Sequence, residues 1–302
     1  HHHSRHSFPT RRSSDLERKA LQTALRFLSY AVVAEWQTRC LQAAVIFDRA
    51  GSTPANRTIF TMDATLIETL KQWNITTVLP LSVGDFQLLE EYRMIEKDGK
   101  PVEYRLFTYE NHVNGWTVRA ILNPESEEFS IRTDIGMLEF ALIEFITDSF
   151  DLFRSMVEER LARIIHDDYV ERSRNFSVIL KNKGVPDVAW DEFLPDSYQG
   201  FRRLVKPNDA VRIINGSYMI LAYYDAATRS GLSLMYNVLR DDFFAERRVQ
   251  NFPNLVHDFD TSSLKELEKA LRKRLLPVLD EIAADRDKSL SELAYSGILK
   301  VI

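Results

Sequence analysis

One histidine and two aspartates stand close together near the end of the chain, at His257, Asp258 and Asp260. Imidazole and carboxylate groups in one loop can hold a divalent cation or orient a general base, which is the chemistry of a metal-dependent hydrolase. Asp241 and Asp242 would be the nearest additional carboxylates. The simpler interpretation, which we favour, is that Asp260 or a neighbour caps a following helix while His257 faces solvent. The hydrolase is kept as the alternative.

Two other groups of titratable residues favour a structural role. Residues 166–168 (His-Asp-Asp) fall at the end of a predicted helix, where a cation meets the negative end of the helix dipole. A second group contains four acids around the start of that helix, where carboxylates are stabilised without any ion. These acids are Glu139, Glu144, Asp148 and Asp151. We therefore expect no metal and no cofactor.

Four aromatic residues on two predicted strands could form a flat binding surface. They are Tyr104, Phe107, Tyr109 and Trp116. Aromatic residues at alternate strand positions usually pack in a core, and only large exposed apolar patches signal interaction. A ligand or partner surface is therefore the alternative to core packing here.

The remaining motifs of common enzymes are missing from residues 62–302. All nine glycines of this segment are isolated, so it contains neither a glycine-rich phosphate loop nor a Gly-x-Ser-x-Gly nucleophile elbow. The only cysteine of the chain is Cys40. Disulfides, thiolate metal sites and cysteine nucleophiles are thus excluded from residues 62–302.

The first 61 residues have the character of translated non-coding DNA. Residues 6–16 resemble a translated sequencing adapter, and residues 31–58 resemble a translated transfer-RNA gene, because codons exist that reproduce both DNA sequences in order. We therefore expect residues 1–61 to be a non-native translation artefact, disordered or non-functional, with Met62 as the first plausible initiator. The alternative is an organellar presequence, since the segment is rich in Arg and Ser.

Without that segment the chain is markedly acidic. Residues 62–302 contain 30 basic and 40 acidic side chains, a net charge of −10. A protein that follows a nucleic-acid backbone needs a basic stripe, so nucleic acid is a disfavoured partner. No apolar run approaches the roughly 20 residues of a membrane-spanning helix. We therefore expect a bacterial cytoplasmic protein that has no membrane partner.

Hydrophobic periodicity predicts a helix, a meander and a second helix in residues 62–183. The first helix covers residues 63–73, and a second begins near Asp148 and runs to about His166. The Asp148 carboxylate is its expected cap, and the expected buried stripe comprises Phe153, Val157, Leu161 and Ile164. The predicted strands are 92–97, 102–109, 116–122, 129–134 and 137–146.

Residues 184–302 repeat this order of elements. A connector at 184–195 precedes predicted strands at 211–214, 217–224 and 232–239. A long helix then opens at the capping box Ser263-x-x-Glu266, with a kink expected at Pro277 and a separate short helix from Ser289.

These patterns predict an α+β fold in which antiparallel meanders are each covered by an amphipathic helix. The repeated order indicates either a degenerate tandem duplication or a chance recurrence. The layout resembles that of small acidic chaperones that hold secretion substrates, a likeness that transfers no residues. We expect a non-catalytic cytosolic binding protein, chaperone-like or immunity-like, with a protein partner. A homodimer is a further alternative.

Overall fold

The first half of the fold is an antiparallel meander of six strands that pair in chain order. The computed structural model describes residues 64–97, 99–173, 176–213 and 216–295, so the expectation for residues 1–61 lies outside the described residues. The strands are β1 (Ser82–Val83), β2 (Phe86–Lys97), β3 (Lys100–Asn111), β4 (Thr117–Leu122), β5 (Phe129–Asp134) and β6 (Glu139–Thr147). The predicted meander is confirmed, including the strand at 137–146 for which periodicity alone is ambiguous.

Helices cover one face of this sheet. The short helices α1 (Ala64–Lys71) and α2 (Ile75–Val78) precede it. The long helix α3 follows it and alternates between α and π geometry. Its segments are Phe150–Met156 (α), Val157–Leu161 (π), Ala162–Ile165 (α) and His166–Val170 (π).

The π segments of α3 explain which residues it buries. Its most buried side chains recur every four residues, at Phe153, Val157, Leu161, Ile165 and Tyr169. In a regular α-helix a spacing of four drifts by about 40° at each step. The wider π turns offset this drift, so the stripe stays in line. Ile165 therefore takes the buried position that α-helical periodicity assigns to Ile164.

The cap of α3 also differs from the expectation. Ser149, and not Asp148, is the N-cap, and its hydroxyl accepts a hydrogen bond from the Leu152 amide at 3.4 Å. The Ser149 amide itself donates to the Thr147 hydroxyl at 3.1 Å. This turn brings the serine, one residue after the predicted cap, to the free amides of the first helical turn.

The second half contains a seven-stranded antiparallel sheet in the order β13-β12-β11-β10-β8-β7, with β9 paired to β10. The strands are β7 (Ser197–Tyr198), β8 (Phe201–Val205), β9 (Val211–Arg212), β10 (Ser217–Asp225), β11 (Ser230–Asn237), β12 (Asp242–Val249) and β13 (Phe252–Thr261). The expected strands near 211–239 are confirmed. The loop expected around His257 is wrong, because these residues belong to β13, an edge strand of the sheet.

The helices of the second half also depart from the expectation. Helix α4 (Val178–Asn182) leads into 3₁₀ turns at Val185–Asp187 and Trp190–Glu192. Helix α5 (Leu264–Tyr295) is a single element that passes Pro277 and includes Ser289, so the separate last helix is wrong. Packing of Leu275 and Val278 in the core offsets the hydrogen bond that Pro277 cannot donate. A search of the described helices finds none with the length and apolar character needed to cross a bilayer.

The two halves are structural repeats, because the pairing registers of β3 to β6 and of β10 to β13 differ by a constant 114 residues. Tyr104 pairs with Leu122 in the first sheet, and Tyr218 pairs with Tyr236 in the second. The pairs Phe129–Thr147 and Phe243–Thr261 keep the same difference. Even the β-bulges correspond, because one follows Arg105 and the other follows Met219. We call residues 64–173 the first repeat and 176–295 the second repeat.

Buried tyrosines mark the correspondence as well. The Tyr109 hydroxyl donates to the Pro80 carbonyl oxygen at 2.6 Å, and the Tyr223 hydroxyl donates to the Pro195 carbonyl oxygen at the same distance. Burial raises the pKa of Tyr109 to about 12 and raises the pKa of Tyr223 as well. A sequence signal accompanies them, since Leu-Pro-x-Ser-x₃-Phe occurs at 79–86 and again at 194–201. Register, tyrosines and motif together support the tandem duplication over chance recurrence.

The central strands β10 and β11 of the second sheet are buried on both faces. The inner face of this sheet packs against α5, with Leu234 and Tyr236 in the same core as Leu271. Residues on its outer face belong instead to the core of the first repeat; they are Val205, Val211, Met219, Ala222 and Met235. The two repeats therefore share one of the two hydrophobic cores.

A turn of the first repeat sits on that outer face. Ile135 and Met137 are buried on either side of Gly136, whose amide donates to Asp134 at 2.8 Å. A Cβ atom at Gly231 would lie 3.0 Å from the Met137 sulfur and 2.1 Å from the Tyr223 carbonyl oxygen. Gly231 is thus required where the turn and the second sheet meet.

Candidate protein-binding surfaces

The predicted His257 cluster does not converge. The His257 imidazole is 76% exposed, and its Nδ1 lies 2.7 Å from an Asp260 carboxylate oxygen. Asp258 is held by α5, because it accepts a hydrogen bond from the Arg274 guanidinium at 2.5 Å. Arg274 also binds Glu281 at 3.1 Å. Only one carboxylate therefore remains beside the histidine.

The further carboxylates of that cluster are also committed elsewhere. Asp241 accepts from the Tyr236 hydroxyl at 2.5 Å and pairs with Lys183. Asp242 pairs with Arg240 at 3.2 Å, and burial raises its pKa. Within the described ranges no three His, Cys, Asp or Glu side chains are placed to hold a metal ion. The geometry thus provides no support for the hydrolase alternative.

The acids and histidine of the first repeat form local ion pairs. Glu139 accepts hydrogen bonds from Arg119 at 2.7 Å and from Arg132 at 2.8 Å. His166 Nδ1 lies 3.0 Å from the carboxylate of Asp167 in the last turn of α3. Glu139 and His166 thus have ion-pair partners close by.

The aromatic residues proposed as a surface are core residues. Tyr104, Phe107, Tyr109 and Trp116 are each at most 4% exposed, so the alternative of an aromatic binding surface is wrong. They occupy the inner face of the first sheet, which the helices cover. The Phe107 ring packs edge to face against two neighbours, with centroid distances of 5.9 Å to Trp73 and 6.0 Å to Tyr109.

A charged cleft lies where the two repeats join, with a volume of about 290 Å³. Asp168 and Arg212 line it together with Arg172, which pairs with Asp209 and stacks 4.7 Å from the centre of the Trp116 ring. Burial raises the pKa of Asp168, and the positive charge of Arg212 opposes that rise. These contacts explain the charged groups of the cleft as part of the packing between repeats.

The edge strand β13 combines apolar exposure with an open backbone edge. Among the described strands it pairs with β12 alone, so its other side presents hydrogen-bonding groups of the backbone. Phe252 is 73% exposed and Leu255 is 63% exposed. The half that contains them, residues 252–256, has no charged side chain, whereas His257, Asp258 and Asp260 follow in the bulged half.

The outer face of the first sheet is a second open surface. We define the open face as Arg105, Thr108, Glu110, Thr117 and Arg119, which lie on the side of β3 and β4 opposite the core. These residues line a groove of about 480 Å³. By register they correspond to Met219, Ala222, Tyr224, Gly231 and Ser233 of the second repeat. The face that seats a turn in the second repeat is thus polar and open in the first.

Ion pairs cover part of the open face, but two buried atoms lack a partner. Glu91 accepts from the Thr108 hydroxyl at 2.5 Å and lies 3.7 Å from Arg105. Arg119 uses Nη2 for Glu139. In the described part of the chain, the buried Arg119 Nε and Thr117 Oγ1 atoms have no hydrogen-bond partner.

The sequence predicts neither surface. It predicts no strand at residues 252–261, because Phe252 and Leu255 do not alternate with buried positions in a simple way. The repeated Leu-Pro-x-Ser-x₃-Phe motif was the available signal, since aligning its two copies carries β6 onto β13.

Comparison of the chain with protein-family models, curated proteins and solved structures finds no match. The function must therefore be inferred from these surfaces.

Proposed function

We propose that this chain is a non-catalytic binding protein, chaperone-like or immunity-like, that holds an extended segment of another protein at the edge strand β13. The observation that carries this proposal is the uncharged half of β13, where Phe252 and Leu255 are exposed beside a backbone edge that no other described strand pairs with. An exposed apolar edge can act as a template for pairing with another strand.

Strand addition fits the chemistry of this edge. Main-chain hydrogen bonds supply affinity in such complexes, and alternate side chains supply specificity. By register Leu255 pairs with Glu246 and Phe252 pairs with Val249, which places the two apolar side chains on opposite faces of the sheet. Pro253 cannot donate a backbone hydrogen bond, so the added strand would gain its bonds on either side of that residue.

The bulged half of β13 limits where a partner strand can pair. Thr261 pairs with Phe243 and Val256 pairs with Ala245, so four residues of β13 lie opposite a single residue of β12. Bulges and charges at an edge discourage pairing. The expected partner segment is therefore short and apolar.

The test is affinity capture from the cells that encode the chain, using the full chain with a carboxy-terminal tag. A double variant, Phe252→Ser with Leu255→Lys, is compared with the control Val113→Lys, which changes an exposed apolar residue of the first repeat. We expect a stoichiometric protein that the wild type and the control retain and that the double variant captures about tenfold less, a change of about 1.4 kcal/mol.

Retention of the same protein by the double variant would exclude this edge as its binding site. Thermal unfolding of all three proteins serves as the folding control, and we expect similar midpoints because the substituted side chains are exposed.

A further inference from the structure

The contact between the two repeats joins two different surfaces. A turn of the first repeat supplies one of them, with Met137 beside Gly231 and Gly136 beside Tyr224. The outer face of the second sheet supplies the other. Because the two surfaces differ, the contact uses one turn and one face and leaves the equivalent turn and face of each chain unused. By register, these are the turn at residues 249–252 and the open face.

The turn between β12 and β13 has the same form as the turn that packs inside the chain. Each is a hairpin loop of two residues, Gly136-Met137 in the first repeat and Gln250-Asn251 in the second, at the same register. Gln250 and Asn251 both have positive φ, 49° and 69°, as in a type I′ hairpin turn. Phe252 beside this loop is 73% exposed, so the turn is accessible to a second molecule.

The first point of contact has changed from apolar to polar on both sides. Inside the chain, the long Met137 side chain meets the bare backbone of Gly231. Between two copies the equivalent pair is Asn251 and Thr117. The shorter asparagine compensates for the larger threonine. The Thr117 hydroxyl has no hydrogen-bond partner in the described part of the chain, so a hydrogen bond from the Asn251 amide would satisfy it.

The second point of contact has exchanged a small and a large side chain. A Cβ atom at Gly136 would lie only 3.1 Å from the Tyr224 ring, so the turn inside the chain has no side chain there. Between two copies the equivalent pair is Gln250 and Glu110. The smaller glutamate leaves room for the glutamine, and a primary amide can donate a hydrogen bond to a carboxylate.

The charges beside this point are complementary as well. Inside the chain, Asp134 at the base of the turn interacts electrostatically with Tyr224 of the second sheet. The equivalent residues between two copies are Arg248 and Glu110, which have opposite charges. Glu110 is 39% exposed and lies 3.9 Å from His112. An arginine at the base of the turn therefore suits this face.

We propose that the chain associates with further copies of itself head to tail, with the turn between β12 and β13 of one copy packed on the open face of the next. Repetition of such a contact gives a ring where the rotation closes and an open row where it does not. This association uses a turn and a sheet face, whereas the proposed function uses the backbone edge of β13.

The test is analytical ultracentrifugation of the full chain at concentrations of about 1 to 100 µM. We expect the sedimentation coefficient of the wild type to rise with concentration. Two variants each remove one surface: Thr117→Trp fills the groove, and Gln250→Gly with Asn251→Gly strips the turn while keeping its positive φ. Each variant alone should associate at least about tenfold more weakly than the wild type.

A mixture of the two variants tests the direction of the contact. Thr117→Trp keeps an intact turn and the glycine variant keeps an intact face, so the two can form a single junction. We therefore expect a dimer with one copy of each variant and no larger species. The control is Leu239→Lys, an exposed residue at the opposite end of β12, which should associate like the wild type.

A wild type that stays monomeric at every concentration would overturn the proposal, and so would a mixture that forms no dimer. Loss of association in Leu255→Lys would overturn it too, because the copies would then pair through their strand edges. Capture of another protein at β13 does not depend on these results. Thermal unfolding midpoints close to that of the wild type confirm that each variant is folded.

Discussion

The two repeats share a backbone pattern and differ in what their outer sheet faces do. Residue pairs across β3 to β6 and across β10 to β13 correspond at a constant separation, as Tyr104 and Leu122 do to Tyr218 and Tyr236. One outer face is sealed by the turn around Gly136, whereas the other is a charged groove. The comparison shows that sheet register was retained while a few side chains decided between internal packing and an open surface.

The helices that cover the inner faces of the two sheets, α3 and α5, can be compared in the same way. Leu161 of α3 and Leu275 of α5 occupy equivalent buried positions. Helix α3 uses π turns to keep its stripe in line, whereas α5 is α-helical and widens its buried stripe, so that Val278 and Leu279 are both buried. Similar cores are thus covered by helices of different local geometry.

Matched core truncations should give the largest effect. We expect Leu161→Ala and Leu275→Ala each to lower the free energy of unfolding by about 3 kcal/mol, because each removes a fully packed leucine. Both should shift one shared transition in urea, followed by circular dichroism and by tryptophan fluorescence, because Met219 and Met235 of the second sheet pack in the core of the first repeat. Two separate transitions, each shifted by one variant, would show that the repeats unfold independently.

A substitution at the contact between the repeats should give the next largest loss in the free energy of unfolding. Gly231→Ala places a Cβ 2.1 Å from the Tyr223 carbonyl oxygen and close to Met137, so we expect a loss of about 2 kcal/mol from overpacking. Thr117→Ala, at the equivalent position of the first sheet, should cost less than about 1 kcal/mol. Denaturant unfolding measures both, and equal losses would contradict the difference between a sealed and an open face.

Removing the helix caps should give the smallest loss in the free energy of unfolding. The losses should also be the most similar between the two repeats. Ser149 and Ser263 each accept a hydrogen bond at 3.4 Å from the amide three residues later. We expect Ser149→Ala and Ser263→Ala each to cost about 1 kcal/mol, measured by the same unfolding experiment. A loss confined to one repeat would mean that the other cap is redundant, and Asp148→Ala serves as the control for α3.

Much of the fold follows from local signals in the sequence. Alternation along residues 116–122 and 129–134 determined which side chains face the core, because a strand turns successive residues to opposite faces. The Ser263 capping box located the start of α5, since serine satisfies free amides at a helix start. These signals act within a few residues and need no knowledge of the partner element.

Other features were decided only by tertiary structure. Whether Tyr109 and Trp116 are buried depends on the helices that cover the sheet, and whether Asp258 faces a metal or Arg274 depends on how α5 packs beside β13. The exposure of Phe252 and the open groove around Arg119 also depend on tertiary packing, because a side chain stays exposed only where no distant element packs over it. The sequence by itself determined the periodicity, the caps and the acidic balance of residues 62–302. Tertiary structure determined which faces remain open, since burial is a property of packed elements rather than of the chain.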